Sequence, residues 1–283
     1  MEKISIIICS RNKEIPEELY LNLKKTTGCD FELINIDNSL NRYTIFEAYN
    51  IGIRRATTPI LVFLHDDVIL ITEDWGLKLI EIFESNPELG LVGVAGSKIK
   101  TKIPSAWWEN NEEFLVMNII QHNVQTSQKI THIKGFSDSP LEEVAIIDGV
   151  FMALRKEEGL YFDESMSGFH NYDLNLSLEV IKRGRKIAVT NQILLEHYSA
   201  GKINGEWIKS NLKLTKIYKN LLPIQSKGSR ITLRDKEMNY LLFIENCRFM
   251  GFKKIAFQYW LKYFLFKPFS SKNIFWLKYF FKI

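Results

Sequence analysis

The chain has 283 residues, of which 46% are hydrophobic, enough for one large or two small domains with a substantial core. It contains no run of 18 or more uncharged apolar residues, and the apolar start Ile4 to Cys9 is too short for a signal-peptide core. The three cysteines are far apart and form no CxxC pair, so we expect reduced thiols rather than zinc ligands or disulfides. The composition predicts a globular, cytoplasmic protein.

The net charge of +4 hides an asymmetry between the body of the chain and its tail. No acidic residue follows Glu245, whereas eight basic ones do: Arg248, Lys253, Lys254, Lys262, Lys267, Lys272, Lys278 and Lys282. The first 245 residues therefore carry a net charge of −4. This distribution favours an anionic surface as the partner of the tail and argues against a nucleic-acid-binding body.

The first hundred residues alternate short β-branched runs with helical stretches, which predicts a mainly parallel α/β sheet. The expected strands are 4–9, 31–36, 60–64 and 91–95, and the expected helices begin near Pro16 and span about 45–56 and 75–86. In such sheets ligands bind beyond the carboxyl ends of the strands. Polar residues follow three of these strands: Ser10-Arg11, Asp37-Asn38-Ser39 and His65-Asp66-Asp67.

The pattern becomes irregular after Gly96, and we expect a mobile loop over the site in the polar stretch to about Pro140. A strand over 144–154, broken at Asp148-Gly149, and an amphipathic helix over 173–183 should follow, with Gly184 ending the helix. Short strands over 187–189 and 193–195 then lead to Glu196-His197.

His65-Asp66-Asp67 ends an apolar strand abruptly, and adjacent acids are costly to bring together without a cation. Carboxylate oxygens suit Mg²⁺ or Mn²⁺, and an imidazole tilts the choice towards Mn²⁺. The alternative is a loop with two solvated carboxylates and a capping histidine. The other strand ends fit a nucleotide, because Asp37 can accept from a base or ribose and Arg11 suits a phosphate. The alternative for Asp37 is an Asx-type turn.

Ordered blocks of the sequence resemble the inverting family-2 glycosyltransferases of GT-A fold. The blocks are Ser5 to Asn12, Ile36 to Ser39, Ala48 to Ala56 and Phe63 to Val68. The resemblance implies that Ser10, Arg11 and Asp37 embrace the base and ribose of a nucleotide, that Asn50 and Asp66 lie near the donor, and that Asp67 binds the metal.

The sequence departs from the commonest pattern of that family at two points, and the change at His65 resembles a smaller subgroup. His65 replaces the first aspartate of the Asp-x-Asp motif, and Cys9-Ser10-Arg11 stands where Pro-Thr-Tyr is common. The subgroup has a Phe-Leu-His-x-Asp-Val strand end and a later Phe-His-x-Tyr-Asp block, which Phe169 to Asp173 supplies here.

The resemblance also assigns residues to the sugar pocket and to catalysis. Asp148 and Gly149 fall at the donor-sugar and acceptor entrance. For His170 we expect contact with the acceptor or service as a second base, with a structural hydrogen bond as the alternative. Asp173 takes the place of the catalytic base that accepts the proton of the acceptor hydroxyl. Its alternative is an acid stabilised by a helix N-terminus. His197 lies where many GT-A enzymes place a further metal ligand, with a packed polar residue as the alternative.

The tail from Phe252 carries Lys254, Gln258 and Lys262 as a polar stripe on a helix rich in aromatic residues. Such a helix can lie in a bilayer interface. The alternative is a helical pair packed on the catalytic domain or on a second subunit.

These observations predict a GT-A catalytic domain over residues 1–215 and a helical, basic and aromatic extension over 216–283. The expected activity is metal-dependent transfer with inversion from a nucleotide-diphosphate sugar to a glycan or lipid-linked glycan, at the inner face of the membrane. Two alternatives stay open. A nucleotidyltransferase would need a glycine-rich loop after the first strand, which Cys9 to Glu14 lacks. A non-catalytic nucleotide-sugar-binding or membrane-recruitment module would bind without turnover.

Overall fold

A computed structural model describes residues 3–123, 128–199 and 203–281. Its strands are β1 Lys3–Ser10, β2 Asp30–Asp37, β3 Ile60–Leu64, β4 Val68–Leu70, β5 Leu89–Gly93, β6 Ala95–Ser97, β7 Ile99–Lys100, β8 Leu115–Asn123, β9 Gln128–Lys134, β10 Leu141–Val144, β11 Ile146–Ile147, β12 Phe151–Arg155, β13 Lys186–Thr190, β14 Leu195–His197 and β15 Ile224–Gln225. Its α-helices are α1 Glu17–Thr26, α2 Ile45–Arg55, α3 Trp75–Ser85, α4 Tyr172–Lys182, α5 Gly205–Ile217, α6 Leu233–Phe249, α7 Lys253–Phe266 and α8 Lys272–Phe281.

The main sheet has seven strands in the order β10-β13-β5-β12-β3-β1-β2. Strands β2, β1, β3, β5 and β13 run in one direction, while β12 lies antiparallel between β3 and β5, and β10 closes one edge antiparallel to β13. The predicted, mainly parallel α/β sheet is confirmed. As a consequence, the carboxyl ends of β1, β2 and β3 meet at one edge.

Alternation along β1 shows how the sheet is buried on both faces. Ile4, Ile6 and Ile8 pack in one apolar cluster with α1 and α3, while Ile7 packs in the other with α2 and α4. Alternate side chains of the strand therefore pack in two different cores, one on each face of the sheet. The sheet with helices on both faces gives three layers. Helix α2 begins with a capping box between Thr44 and Glu47, a signal that fixes its start.

A second sheet with the order β11-β6-β8-β14-β4, and with β9 paired to β8, lies beside the ends of the first. Our expectation of an irregular stretch from Gly96 to Pro140 was wrong for this part, because β8 and β9 pair as antiparallel strands there. Strand β9 is largely exposed, so its sequence alternates too weakly to indicate a strand.

Two further strand predictions need correction. The strand expected over 144–154 is three elements, the end of β10, then β11, then β12, because the chain changes from one sheet to the other at Ala145 and again around Asp148. The strand expected over 193–195 begins only at Leu195 and includes His197. The helix expected over 173–183 is confirmed as α4, and Gly184 adopts a φ of +74° just after it.

Helices α6 to α8 form the helical C-terminal part that the sequence predicted, and α5 precedes them. They enclose a third apolar cluster that includes Ile103, Trp207, Phe243 and Trp260. Buried polar contacts fix α6 on the preceding domain, since Thr101 donates to Asn239 Oδ1 at 2.6 Å. The extension is therefore packed on the body of the protein, as one of our two alternatives for the tail expected. Lys282, counted in the basic tail, lies outside the described residues.

In the described part of the chain, no helix is both long enough and apolar enough to cross a bilayer.

Candidate metal and catalytic site

Three side chains that the sequence singled out as metal ligands come together beyond the end of β3. His65, Asp67 and His197 each offer one ligand atom, and these atoms lie within 4.8 Å of one another. His65 Nδ1 is 3.6 Å from Asp67 Oδ1, and His197 Nε2 is 3.5 Å from the same oxygen. Antiparallel pairing of β14 with β4 places His197 opposite Val68 and so brings it to the end of β3.

The donor set fits a divalent cation. Asp67 Oδ1 is buried and has no hydrogen-bond partner among the described residues, which is costly for a carboxylate oxygen unless a cation satisfies it. Burial would raise the pKa of Asp67, but the facing His197 and His65 side chains outweigh it and hold the pKa well below its usual range. Asp67 is therefore ionised at neutral pH and ready to bind a metal.

The hydrogen bonds of Gln121 determine which nitrogen of His197 faces Asp67. Gln121 Nε2 donates to the carbonyl oxygens of Ser199 at 2.6 Å, His122 at 3.1 Å and His197 at 3.2 Å. Its Oε1 must then accept from His197 Nδ1, which is 3.0 Å away. The proton therefore sits on Nδ1, and Nε2 is the atom directed towards Asp67.

Tyr172 fixes His65 in a corresponding way. Its hydroxyl lies 2.5 Å from His65 Nε2, so Nδ1 is the nitrogen left facing Asp67. Burial would lower the pKa of His65, but Asp67 outweighs this effect and the pKa is raised. Each imidazole thus has one nitrogen held by a protein group and the other directed at the same carboxylate.

Asp173 occupies the first turn of α4, and the residue that precedes the helix sets its position. Asn171 adopts a left-handed φ of +61°, accepts from Asn211 Nδ2 at 3.0 Å and donates to Ser210 Oγ at 2.9 Å, which ties the start of α4 to α5. Burial raises the pKa of Asp173 to about 7, and the nearby charge of Asp148 adds to the effect. A carboxylate with this pKa can exchange protons near neutral pH.

A cleft of about 1220 Å³ joins these groups. It collects seven predicted site residues among its lining: Arg11, His65, Asp148, Gly149, His170, Asp173 and His197. Asp148 is fixed at its wall, because it accepts from Trp107 Nε1 at 2.6 Å and from the backbone N–H of Val150 at 2.8 Å. Burial lowers the pKa of His170, so this residue is mainly neutral at pH 7.

Known proteins provide a comparison that is independent of this geometry. A family described as "Glycosyltransferase like family" matches residues 5–221. The chain belongs to this glycosyltransferase-like family. A search of curated proteins finds no significant match for it.

The glycosyltransferase-like chain also resembles solved structures. The crystal structure of GalNAc-T7 with UDP, GalNAc and Mn²⁺ superposes with a TM-score of 0.52 at 12% identity, over 90% of this chain and 54% of that one. The chain therefore spans about half the length of that relative, and the likeness confirms the predicted GT-A fold. A197 from STIV matches over 82% of this chain and 98% of its own, at 12% identity and a TM-score of 0.40.

The remaining predicted residues of this glycosyltransferase-like protein are not among the residues that line the cleft. Ser10 and Asp37 are partners in the parallel register of β1 and β2. The buried Ser10 hydroxyl donates to Asp66 Oδ2 at 2.6 Å, so it holds the acidic segment. Asp37 is exposed, and hydrogen bonds from the Ser39 hydroxyl and backbone N–H lower its pKa. Contact of these residues with a nucleotide stays a prediction.

Asn50 is buried in α2, where its side-chain amide hydrogen-bonds to the segment that contains Phe162 and Glu164. Its Nδ2 donates to the Phe162 carbonyl at 2.9 Å and to Glu164 Oε1 at 2.8 Å, and its Oδ1 accepts from the Phe162 N–H at 2.9 Å. These hydrogen bonds give Asn50 a structural function. Its predicted place near the donor stays a prediction.

Sequence reasoning missed Gln121 and assigned no function to Tyr172. Gln121 lies in β8, inside the stretch that we interpreted as irregular, and only strand pairing brings it beside His197. Tyr172 was visible as the residue before the predicted base, but nothing in the sequence indicated its contact with His65.

We expect Gln121→Leu to weaken Mn²⁺ binding by about 10- to 100-fold, because the His197 tautomer would no longer be fixed. Titration of Mn²⁺ by electron paramagnetic resonance measures this without any need for turnover. Gln128→Leu on the neighbouring strand makes the same chemical change at an exposed position and should leave the affinity unaltered. Equal affinities for all three proteins would contradict the assigned function of Gln121.

Gly149 leaves the space that Tyr172 occupies. A Cβ at position 149 would lie 2.3 Å from the Tyr172 hydroxyl oxygen, which is too close for any ordered arrangement. Gly149→Ala should therefore push Tyr172 away from His65 and destabilise the fold by roughly 1–3 kcal/mol. Thermal unfolding and Mn²⁺ titration should both change. An unchanged melting temperature together with unchanged Mn²⁺ affinity would disprove this steric coupling.

Proposed function

We propose that this protein is a metal-dependent, inverting glycosyltransferase that uses a nucleotide-diphosphate sugar. The observation that carries the proposal is the presence of two differently tuned carboxylates near one cleft. Asp67 is held ionised between two imidazoles, and Asp173 has a pKa raised to about 7. Membership of the glycosyltransferase-like family supports glycosyl transfer in general. The UDP, GalNAc and Mn²⁺ of the GalNAc-T7 structure support the classes of ligand.

Asp67, His65 and His197 would hold Mn²⁺ or Mg²⁺, with the histidines favouring Mn²⁺. When bound, such a cation neutralises negative charge that develops on the departing diphosphate. Arg11 lines the cleft and supplies a further positive charge suited to phosphate oxygens. Ser10 supports the same region through its bond to Asp66.

Asp173 acts as the base in this proposal. Its carboxylate takes the proton from an acceptor hydroxyl, and the hydroxyl oxygen forms a bond to the anomeric carbon of the donor sugar. The bond from that carbon to the diphosphate oxygen breaks, the nucleoside diphosphate leaves, and the configuration inverts. Because the Leu174 N–H donates to Asp173 Oδ1 at 2.8 Å, Oδ2 is the oxygen left to take the proton.

The other predicted residues complete the substrate site. Asp37 and Asn50 belong with the nucleotide side and Asp66 with the donor, while Asp148, Gly149 and His170 line the region for donor sugar and acceptor. Trp107 orients Asp148 through the hydrogen bond that its Nε1 donates. The proposed process is synthesis of a cell-surface polysaccharide or glycan on a glycan or lipid-linked glycan acceptor, in the cytoplasm at the inner face of the membrane.

Asp173→Asn should lower transfer by roughly 100- to 10,000-fold, because the amide cannot accept the hydroxyl proton. The same change should stabilise the fold. A raised pKa in the folded state means that ionisation of Asp173 costs stability, and this cost grows as pH rises from about 4 and is fully present above about 7. The variant should therefore melt higher than the natural protein at pH 8 and similarly at pH 4.

Asp138→Asn, at an exposed carboxylate, provides the control and should alter neither rate nor melting temperature. Transfer assays with a panel of nucleotide sugars and melting curves at both pH values give the two readouts. Near-normal transfer by Asp173→Asn would remove Asp173 as the base, while leaving the metal site intact.

Nucleoside diphosphates should raise the melting temperature more with Mn²⁺ than without it, since the cation and the diphosphate bind together. Asp67→Ala should abolish this Mn²⁺-dependent increase, whereas Asp138→Ala should retain it. A screen of bases would also name the nucleotide. Stabilisation without turnover on any nucleotide sugar would indicate a non-catalytic binding module. Release of pyrophosphate from a nucleoside triphosphate incubated with a sugar phosphate would indicate a nucleotidyltransferase.

A further inference from the structure

The last two helices leave large apolar side chains in water. One side of this pair is packed, because Trp260, Tyr263 and Trp276 are almost fully buried in the third apolar cluster. Leu265, by contrast, is 80% exposed and Phe269 is 100% exposed. Six apolar residues of this segment are each at least 41% exposed, and we call them the tail surface: Leu261, Leu265, Phe269, Ile274, Phe275 and Phe281. Such a concentration of exposed apolar residues in one short segment indicates an interaction site.

Lysines alternate with the tail surface along the chain. Lys254, Lys262 and Lys278 are exposed in α7 and α8. The sequence after Glu245 supplies no acidic residue to neutralise them. Glu237 of α6 approaches this segment, but it already pairs with Lys267 at 2.6 Å and with Lys272 at 3.5 Å. The surface therefore combines apolar area with an excess of positive charge.

Charge decides between the two kinds of partner that could cover this surface. A second copy packed through the same surface would bring lysines of one chain against lysines of the other, which is unfavourable. An anionic bilayer complements both properties, because its headgroups attract lysines while the apolar rings and branches enter the acyl boundary. We propose that the tail surface binds the interface of an anionic membrane, with α7 and α8 lying on the bilayer.

The position of α5 connects this surface with the cleft. Trp207 of α5 lines the cleft, and its ring also packs 6.5 Å from that of Phe243 in the extension. At the start of α5, a Cβ on Gly205 would lie 3.2 Å from the ring of Phe252, just before α7. A membrane-bound tail would therefore hold the cleft near the bilayer. Resting on the proposed function, this placement favours an acceptor presented at the membrane surface, such as a lipid-linked glycan.

The removal of the whole tail cannot test the proposal, since α6 and α7 cover Trp207 and Ile208 of α5 and truncation would expose them. We instead choose the full chain with Leu265→Ser and Phe269→Ser. Both side chains are exposed, so their replacement should leave the fold unaffected. Flotation with phosphatidylglycerol vesicles should show binding of the natural protein and at least about tenfold weaker binding of the double variant. Binding to phosphatidylcholine vesicles should be weak for both.

Matched controls lie on the catalytic domain. Leu21→Ser with Ile133→Ser removes two exposed apolar residues elsewhere and should leave vesicle binding unchanged. Lys254→Glu with Lys262→Glu should weaken binding, whereas Lys24→Glu with Lys25→Glu on α1 should not. Equal binding by the tail and control variants would overturn the proposal. The proposal would also be overturned if the natural protein did not bind anionic vesicles and instead formed a dimer that Phe269→Ser dissociates. A second copy would then cover the surface.

These measurements use neither donor nor metal, so they stand or fall separately from glycosyl transfer. The Leu265→Ser and Phe269→Ser protein should keep its full transfer rate with a soluble acceptor. Loss of that rate would show that the two side chains support the fold or the cleft and would contradict a purely membrane-binding function.

Discussion

The unsatisfied oxygen of Asp67 is the constraint on which the site depends. It is buried between two imidazole nitrogens at 3.5 and 3.6 Å, and no described residue donates a hydrogen bond to it. His65 and Asp67 follow a strand of the first sheet, while His197 ends a strand of the second. The three ligand atoms meet only if both sheets form in the correct register. A cation at this point would offset the desolvation of the carboxylate and join the two sheets.

Two carboxylates near the cleft have pKa values shifted in opposite directions, and the environments explain why. Asp67 faces imidazoles that stabilise its charge, whereas Asp173 is buried, with Asp148 as a nearby negative charge. Such separation supports the proposed metal binding by the first and the proposed proton transfer by the second. Tyr172 connects the two groups, because its hydroxyl contacts His65 and its neighbour in sequence is Asp173, the proposed base. Distortion at Gly149 would therefore reach both.

The sequence predicted those parts of the protein that depend on local periodicity. The β-branched runs and helical stretches of the first hundred residues and the stop at Gly184 all lie close to their observed positions. It could not predict the insertion of β12 antiparallel between β3 and β5, or the pairing of β14 with β8, because strand order depends on contacts distant in sequence. Gln121 was missed for this reason. His197 was found by resemblance, and the structure supplied its geometry.

The tail shows why two readings of one amphipathic pattern need not exclude each other. A helix that carries aromatic residues on most of its sides has more apolar surface than one packing partner can cover. Trp260 and Tyr263 use part of it to attach α7 to the protein, and Leu265 remains exposed. Burying that remaining area in a bilayer requires no rearrangement of the packed side. Since α5 contributes both to the cleft and to the third apolar cluster, attachment at the tail would restrict the orientation of the cleft towards the membrane. Restriction of this kind raises the effective concentration of an acceptor confined to the same surface.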